Sequence, residues 1–175
     1  MKNSKINCRF NWTRTLIVFI YLISVSLMAN AAPAKSAVKK AYIAQIRKMS
    51  QYENQFRKYF LLDISGDGIP ELFVRTGSCE ADAQIHIYTY NTRLSRLATL
   101  NAGQHMDFYQ GKGYFLGYHG HMGSWKITKY YLKNGKLMQR VMGSGELKGD
   151  QDYPEPTEIG VYEVDFDNLG PIQSM

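Results

Sequence analysis

Cysteine is nearly absent from this 175-residue chain, which holds only Cys8 and Cys79. Cys8 lies in an N-terminal segment expected to be removed on export, so Cys79 is left alone and no internal disulfide is expected to staple the domain. Cys79 is expected to be a small buried filler, because a reactive thiolate needs a cationic setting. No dense Lys/Arg run is present to track phosphates, which argues against nucleic acid as a partner. No apolar run reaches the ~20 residues that span a bilayer comfortably. Nucleophile elbow, zincin helix, phosphate-binding glycine loop and paired-cysteine motifs are all missing. The commonest signatures of catalysis are therefore not here.

What is present begins with a basic start. Lys2, Lys5, Arg9 and Arg14 occur with no acid among them, and a 13-residue apolar run, Leu16 to Met28, follows before Ala29-Asn30-Ala31. Basic, apolar and small-x-small segments in that order predict a secretory signal peptide over 1–31, with cleavage after Ala31. The expected product is one secreted or periplasmic domain over 32–175, with no stable membrane insertion. Losing four of 21 basic residues leaves 17 against 15 acids, a net charge of +2 in place of +6. The sequence pI of about 9.2 thus belongs largely to the leader.

After a small-residue leader over 32–35, Val38, Tyr42, Ile46 and Met49 recur at helical spacing. They predict a helix over about 36–56, with Ser36 as N-cap, packed as a lid on a sheet. The remainder, 57–165, reads as short strands and turns with a short C-terminal tail. Strands are expected at Tyr59–Ile64, Glu71–Thr76, Ile85–Tyr90, Ser95–Leu100, His105–Gln110, Tyr114–His119, Trp125–Leu132, Lys136–Met142 and a closing Gly160–Asp165. Asn134-Gly135 is a strong hairpin signal, because both residues accept positive φ. Asp150 to Glu158 reads as an exposed acidic loop. The expected fold is mainly β with an N-terminal helix (α+β), a meandering antiparallel sheet of about eight short strands. Its many tyrosines suit half-buried sheet faces.

Between the first two strands lies LLDISGDGIPELFV, residues 61 to 74. Asp63, Ser65 and Asp67 fall at positions 1, 3 and 5 of a loop, Gly68 at 6, Ile69 at 7 and Glu71 at 9. Alternate positions project oxygens towards one centre, and the Ile69 carbonyl can supply another. An all-oxygen set of this kind suits Ca²⁺. The alternative is a turn capped by its own Asp side chains. A twelve-residue EF-hand is a poor match, because Val74 stands where its bidentate Glu would be. The stretch resembles the DxDxDGxxD/E calcium loop of FG-GAP and VCBS-type repeats. Residues 59 to 82 are similar to small secreted bacterial proteins with a DxDGDGxPEL turn. That resemblance implies a calcium-stabilised β-module outside the cytoplasm and implies no reaction. Ser65 departs from the usual Asp, which should weaken the site. Glu80 and Asp82, just after the second strand, are expected to line a solvated turn.

His119-Gly120-His121 places two imidazoles on one strand face, and His105 becomes a third zinc ligand only if it lies opposite His119. With Gly117, Gly120 and Gly123 around the pair, a close-packed turn is the favoured alternative. His105 and Asp107 also form a possible acid–base pair. Two readings follow. One is a non-catalytic calcium-stabilised module that binds an extracytoplasmic protein or glycan, or serves a structural role. The other is a small secreted hydrolase using His105, His119 and His121.

Overall fold

The computed structural model describes residues 33–51, 56–103, 106–148, 154 and 156–175. The expected leader, positions 52–55 of the expected helix, His105 and most of the expected acidic loop at 150–158 lie outside them. Helix α1, Lys35–Met49, comes first. Strands β1 (Lys58–Leu62), β2 (Glu71–Thr76), β3 (Gln84–Tyr90) and β4 (Leu94–Asn101) follow it. Next come β5 (Met106–Gly111), β6 (Tyr114–His121), β7 (Ser124–Lys133) and β8 (Lys136–Glu146). The chain closes with β9 (Ile159–Gly160), β10 (Val164–Asp165) and helix α2, Gly170–Ser174.

The fold is mainly β with an N-terminal helix, and every strand pairing is antiparallel. The meander divides into two five-stranded sheets, in the orders β10-β1-β2-β3-β4 and β8-β7-β6-β5-β9. Their inner faces meet over Phe60, Phe73, Ile85 and Ile87 from the first sheet and Met106, Phe108, Phe115 and Tyr130 from the second. A chain of rings crosses the interface: Phe60–Phe73 at 4.7 Å between centroids, Phe73–Phe115 at 5.2 Å and Phe115–Tyr130 at 4.8 Å. Offset and edge-to-face contacts of this kind add to plain area burial.

A third layer covers the first sheet's outer face. Val38, Tyr42 and Ile46 of α1 pack there with Tyr59, Leu72, Val74 and Tyr88. The helical spacing in the sequence was therefore the contact stripe of a lid. Strand β2, in the middle, is buried at all six positions. That includes Glu71 and Arg75, which share the inner face with Phe73 near opposite ends of the strand.

Four details differ from expectation. Helix α1 starts at Lys35 with Ala34 as N-cap and no side-chain cap, so Ser36 does not cap it. The helix ends at Met49 rather than near 56. The closing strand is two short pieces, β9 on the second sheet and β10 on the first, so the chain changes sheets between them. Strand β8 runs on to Glu146, past a register shift opposite Ile127/Thr128 that leaves Met142 without a partner across the ladder. Both positive φ values expected of Asn134-Gly135 are present, 53° and 70°.

Candidate functional site

The acidic turn joins β1 to β2, whose last and first residues, Leu62 and Glu71, are paired. Two apolar anchors hold it. Ile64 enters the core between the sheets and Ile69 the core beneath α1. Between them Gly66 and Gly68 take φ of 77° and 81°, the left-handed region that glycine enters at no steric cost. The turn is wound on its own side chains. Asp63 accepts from the Gly66 amide at 2.7 Å through Oδ1 and from the Gly68 amide at 3.0 Å through Oδ2. The Asp67 amide donates to Ser65 Oγ at 3.3 Å, and the Ile69 amide to Asp67 Oδ1 at 2.8 Å.

Glu71 lies beneath the turn and is 2 % exposed. Its Oε2 accepts from the Ile64 amide at 3.0 Å, and its Oε1 from the Thr89 hydroxyl at a longer 3.3 Å. Burial pushes its pKa up, the charges of Asp67 and Asp63 push the same way, and the Ile64 amide opposes them. Tyr42 of α1 closes the far side by donating to the Pro70 carbonyl at 2.9 Å. Its phenol is raised by burial first, then by the charges of Glu71 and Asp67. Three carboxylates thus act on one another electrostatically. Among the described residues, however, no three His, Cys, Asp or Glu side chains stand grouped to hold a metal. The donor set is all oxygen, which fits Ca²⁺ in kind.

The acids after β2 lie in a single 3-10 turn, Glu80–Asp82, in which Asp82 is exposed as expected but Glu80 Oε2 is shut off from solvent with no hydrogen-bond partner among the described residues. Asp82 accepts from the Ser78 amide at 2.8 Å, the Ser78 hydroxyl at 2.7 Å and the Cys79 amide at 2.8 Å. These bonds, the Ser78 hydroxyl first, lower its pKa to about 2. Cys79 opens this turn and is exposed, so it is not the buried filler expected from composition.

The histidines answer to register. Strands β5 and β6 turn through Lys112-Gly113, which sets Met106, a core residue, opposite His119. The pairing of His105 with His119 that a zinc site required is therefore not the one adopted. Close packing explains one of the neighbouring glycines: a Cβ at Gly117 would stand 2.0 Å from Met106 Cε. Gly123, with Met122, makes the β6–β7 turn. His119 and His121 do share a cleft of about 760 Å³ at one end of the sandwich, with Ser124, Lys126 and Glu146. The Ser124 hydroxyl donates to the His121 backbone carbonyl at 2.9 Å. Asp107 lines a different cleft, beside Arg75 and Glu163.

Sequence reading missed Arg75. It is 7 % exposed, pairs with Glu163 at 2.7 Å and donates to the Met106 carbonyl at 2.9 Å. The phenyl rings of Phe108 and Phe56 lie 5.7 and 5.9 Å from its guanidinium carbon. Its partner is 88 positions away, too distant for any local pattern to reveal. The only signal was a lone cation inside an apolar strand.

Scans against protein-family models, curated proteins and solved structures return no match for this chain.

Proposed function

We propose that this chain is an exported, non-catalytic β-module whose acidic turn is completed by Ca²⁺, with a binding or structural role in the periplasm or at the cell exterior. One observation carries the reading: Glu71 is a nearly inaccessible carboxylate beneath a turn that already contains Asp63 and Asp67. A buried charge is costly unless it is paired or neutralised, and a divalent cation with oxygen preference offsets three acids at once. Asp63, Ser65, Asp67, the Ile69 carbonyl and Glu71 would hold it. A turn wound on its own side chains and the neutral Ser65 argue for an affinity in the weak range of extracellular modules, ~10⁻⁴ to 10⁻³ M.

The test is a melt of the purified protein in chelator and in millimolar calcium, alongside metal analysis. Binding to the folded state contributes RT ln(1 + [L]/Kd), ~1.4 kcal/mol at tenfold excess over Kd. Calcium should raise the Tm by several degrees, Asp67→Ala should abolish the response, and Ser65→Asp should enlarge it. A wild-type melt unmoved by calcium sinks the proposal. The second reading, a hydrolase, is kept alive by the cleft that His119 and His121 share. Stoichiometric zinc that is lost from a His119→Ala/His121→Ala variant would put it ahead.

A further inference from the structure

Two cations face each other across the ladder on the second sheet. Lys129 of β7 is directly opposite Arg140 of β8. Both lie on the outer face, because their neighbour Tyr130 points inward and stacks on Phe115. Like charges in that position repel and destabilise a sheet. Neither forms an ion pair with any described residue, the ion pairs found being Lys58–Asp165 and Arg75–Glu163. Lys112, from the β5–β6 turn, joins them in a groove of about 410 Å³ whose walls include Tyr114, Tyr131 and Met142, with no acid in its lining. Tyr114 and Tyr131 are themselves cross-strand partners. Tyr114 is fixed at both ends: Lys129 Nζ stands 3.7 Å from its ring centre, and its hydroxyl donates to Glu158 at 2.9 Å. Helices α1 and α2 bury their apolar residues in the core on the other sheet.

We propose that this groove binds an acidic polysaccharide, a uronate- or sulfate-bearing glycan. Its anionic groups would lie between Lys129, Arg140 and Lys112, and a sugar ring against Tyr131. The proposal deepens the reading of the chain as an exported binding module and rests on it. An anion removes the repulsion between Lys129 and Arg140, so the cost built into the empty sheet becomes affinity when the groove is filled. Tyr131 offers an amphipathic ring of the kind that suits a sugar, with an apolar face and a hydroxyl at the rim, whereas the Tyr114 ring is already packed on Gly111 and engaged by Lys129. Nucleic acid is the weaker candidate, because three cations in one short groove do not make a track along a phosphate backbone.

The experiment is affinity electrophoresis and titration of the purified protein with polygalacturonate and with dextran sulfate. Neutral dextran and single-stranded DNA serve as comparison probes, at low and high salt, in buffer containing calcium. At least one acidic polysaccharide should bind, weakening as salt screens the contacts. Lys129→Gln/Arg140→Gln should lower the affinity at least tenfold, and Tyr131→Ala several-fold. Arg140→Gln alone should melt no lower than wild type, because it relieves repulsion; a purely structural arginine would melt lower. Failure of both acidic polysaccharides to bind, or binding unchanged in the double variant, overturns the proposal. Neutral dextran or DNA held as tightly as the acidic glycan overturns it too. The calcium melt is read separately. A calcium response without polysaccharide binding removes the groove alone, and polysaccharide binding without a calcium response removes the acidic turn alone.

Discussion

Glu71 is where local chemistry is most exposed to test. A carboxyl whose folded pKa is raised binds its proton more tightly in the native state than in the unfolded chain. Its contribution is therefore favourable at low pH and is lost as pH rises from its ordinary value through the raised one. His86 acts oppositely: burial lowers its pKa, so protonation below its ordinary range costs stability. The comparison of wild type with Glu71→Gln isolates the carboxyl from that background. The isosteric amide can still accept from Ile64 and donate to Thr89, and it carries no charge. In chelator near pH 7 the variant should melt higher than wild type, by about 1 kcal/mol or a few degrees. The gap should close as pH falls towards the ordinary Glu range, and the variant should lose the calcium response. A calcium-free Glu71→Gln protein that melts below wild type at neutral pH would show that the buried carboxylate is not strained by its neighbours.

At the scale of elements, most strands were legible because alternation is a local property. The faces of β3 could be read from Ile85, Ile87 and Tyr88 alone, and the Asn134-Gly135 turn named its own conformation. The acidic turn was also visible as a turn, since its Asp and Gly residues act within a few positions. Register was not legible. Whether Met106 or His105 faces His119 depends on a two-residue turn at Lys112-Gly113, and the glycines there allowed several choices. The split into two sheets was equally hidden, because it rests on ring contacts such as Phe73–Phe115 between distant strands. The Arg75–Glu163 pair belongs to this class. Glu163, just before β10, reaches a guanidinium that is otherwise enclosed by β2, β5 and two phenyl rings. Removing one partner of such a pair leaves a buried charge uncompensated, so Glu163→Gln should cost ~3 kcal/mol in a denaturant or thermal melt. A loss below about 0.5 kcal/mol would place this pair with ordinary surface ion pairs.

For the molecule as a whole, the proposed export sets the working environment. The order of basic, apolar and Ala-Asn-Ala segments predicts that intact-mass analysis of protein from a secreting host will find a chain starting near Ala32. A full-length product held in the membrane fraction would contradict it. Among the described residues, no helix is long and apolar enough to cross a membrane. The acidic turn on the first sheet and the cationic groove on the second are built from different elements. Calcium dependence and glycan binding can therefore fail or succeed independently.

The C-terminal segment touches every layer in turn. β9 adds to the second sheet and β10 to the first, and Ile172 of α2 enters the core under α1. On the way, Tyr59 donates to the Asn168 carbonyl and Lys39 to that of Gln173. The stitching is thus done by one short stretch, from β9 to α2. Before that stretch docks, β1 lacks its β10 neighbour, Arg75 its carboxylate and the helix layer its closing residues. Such a chain has reason to remain open until that stretch docks. Under the export proposed above, delayed closure would lengthen the time in which the chain is still soft enough to pass a membrane.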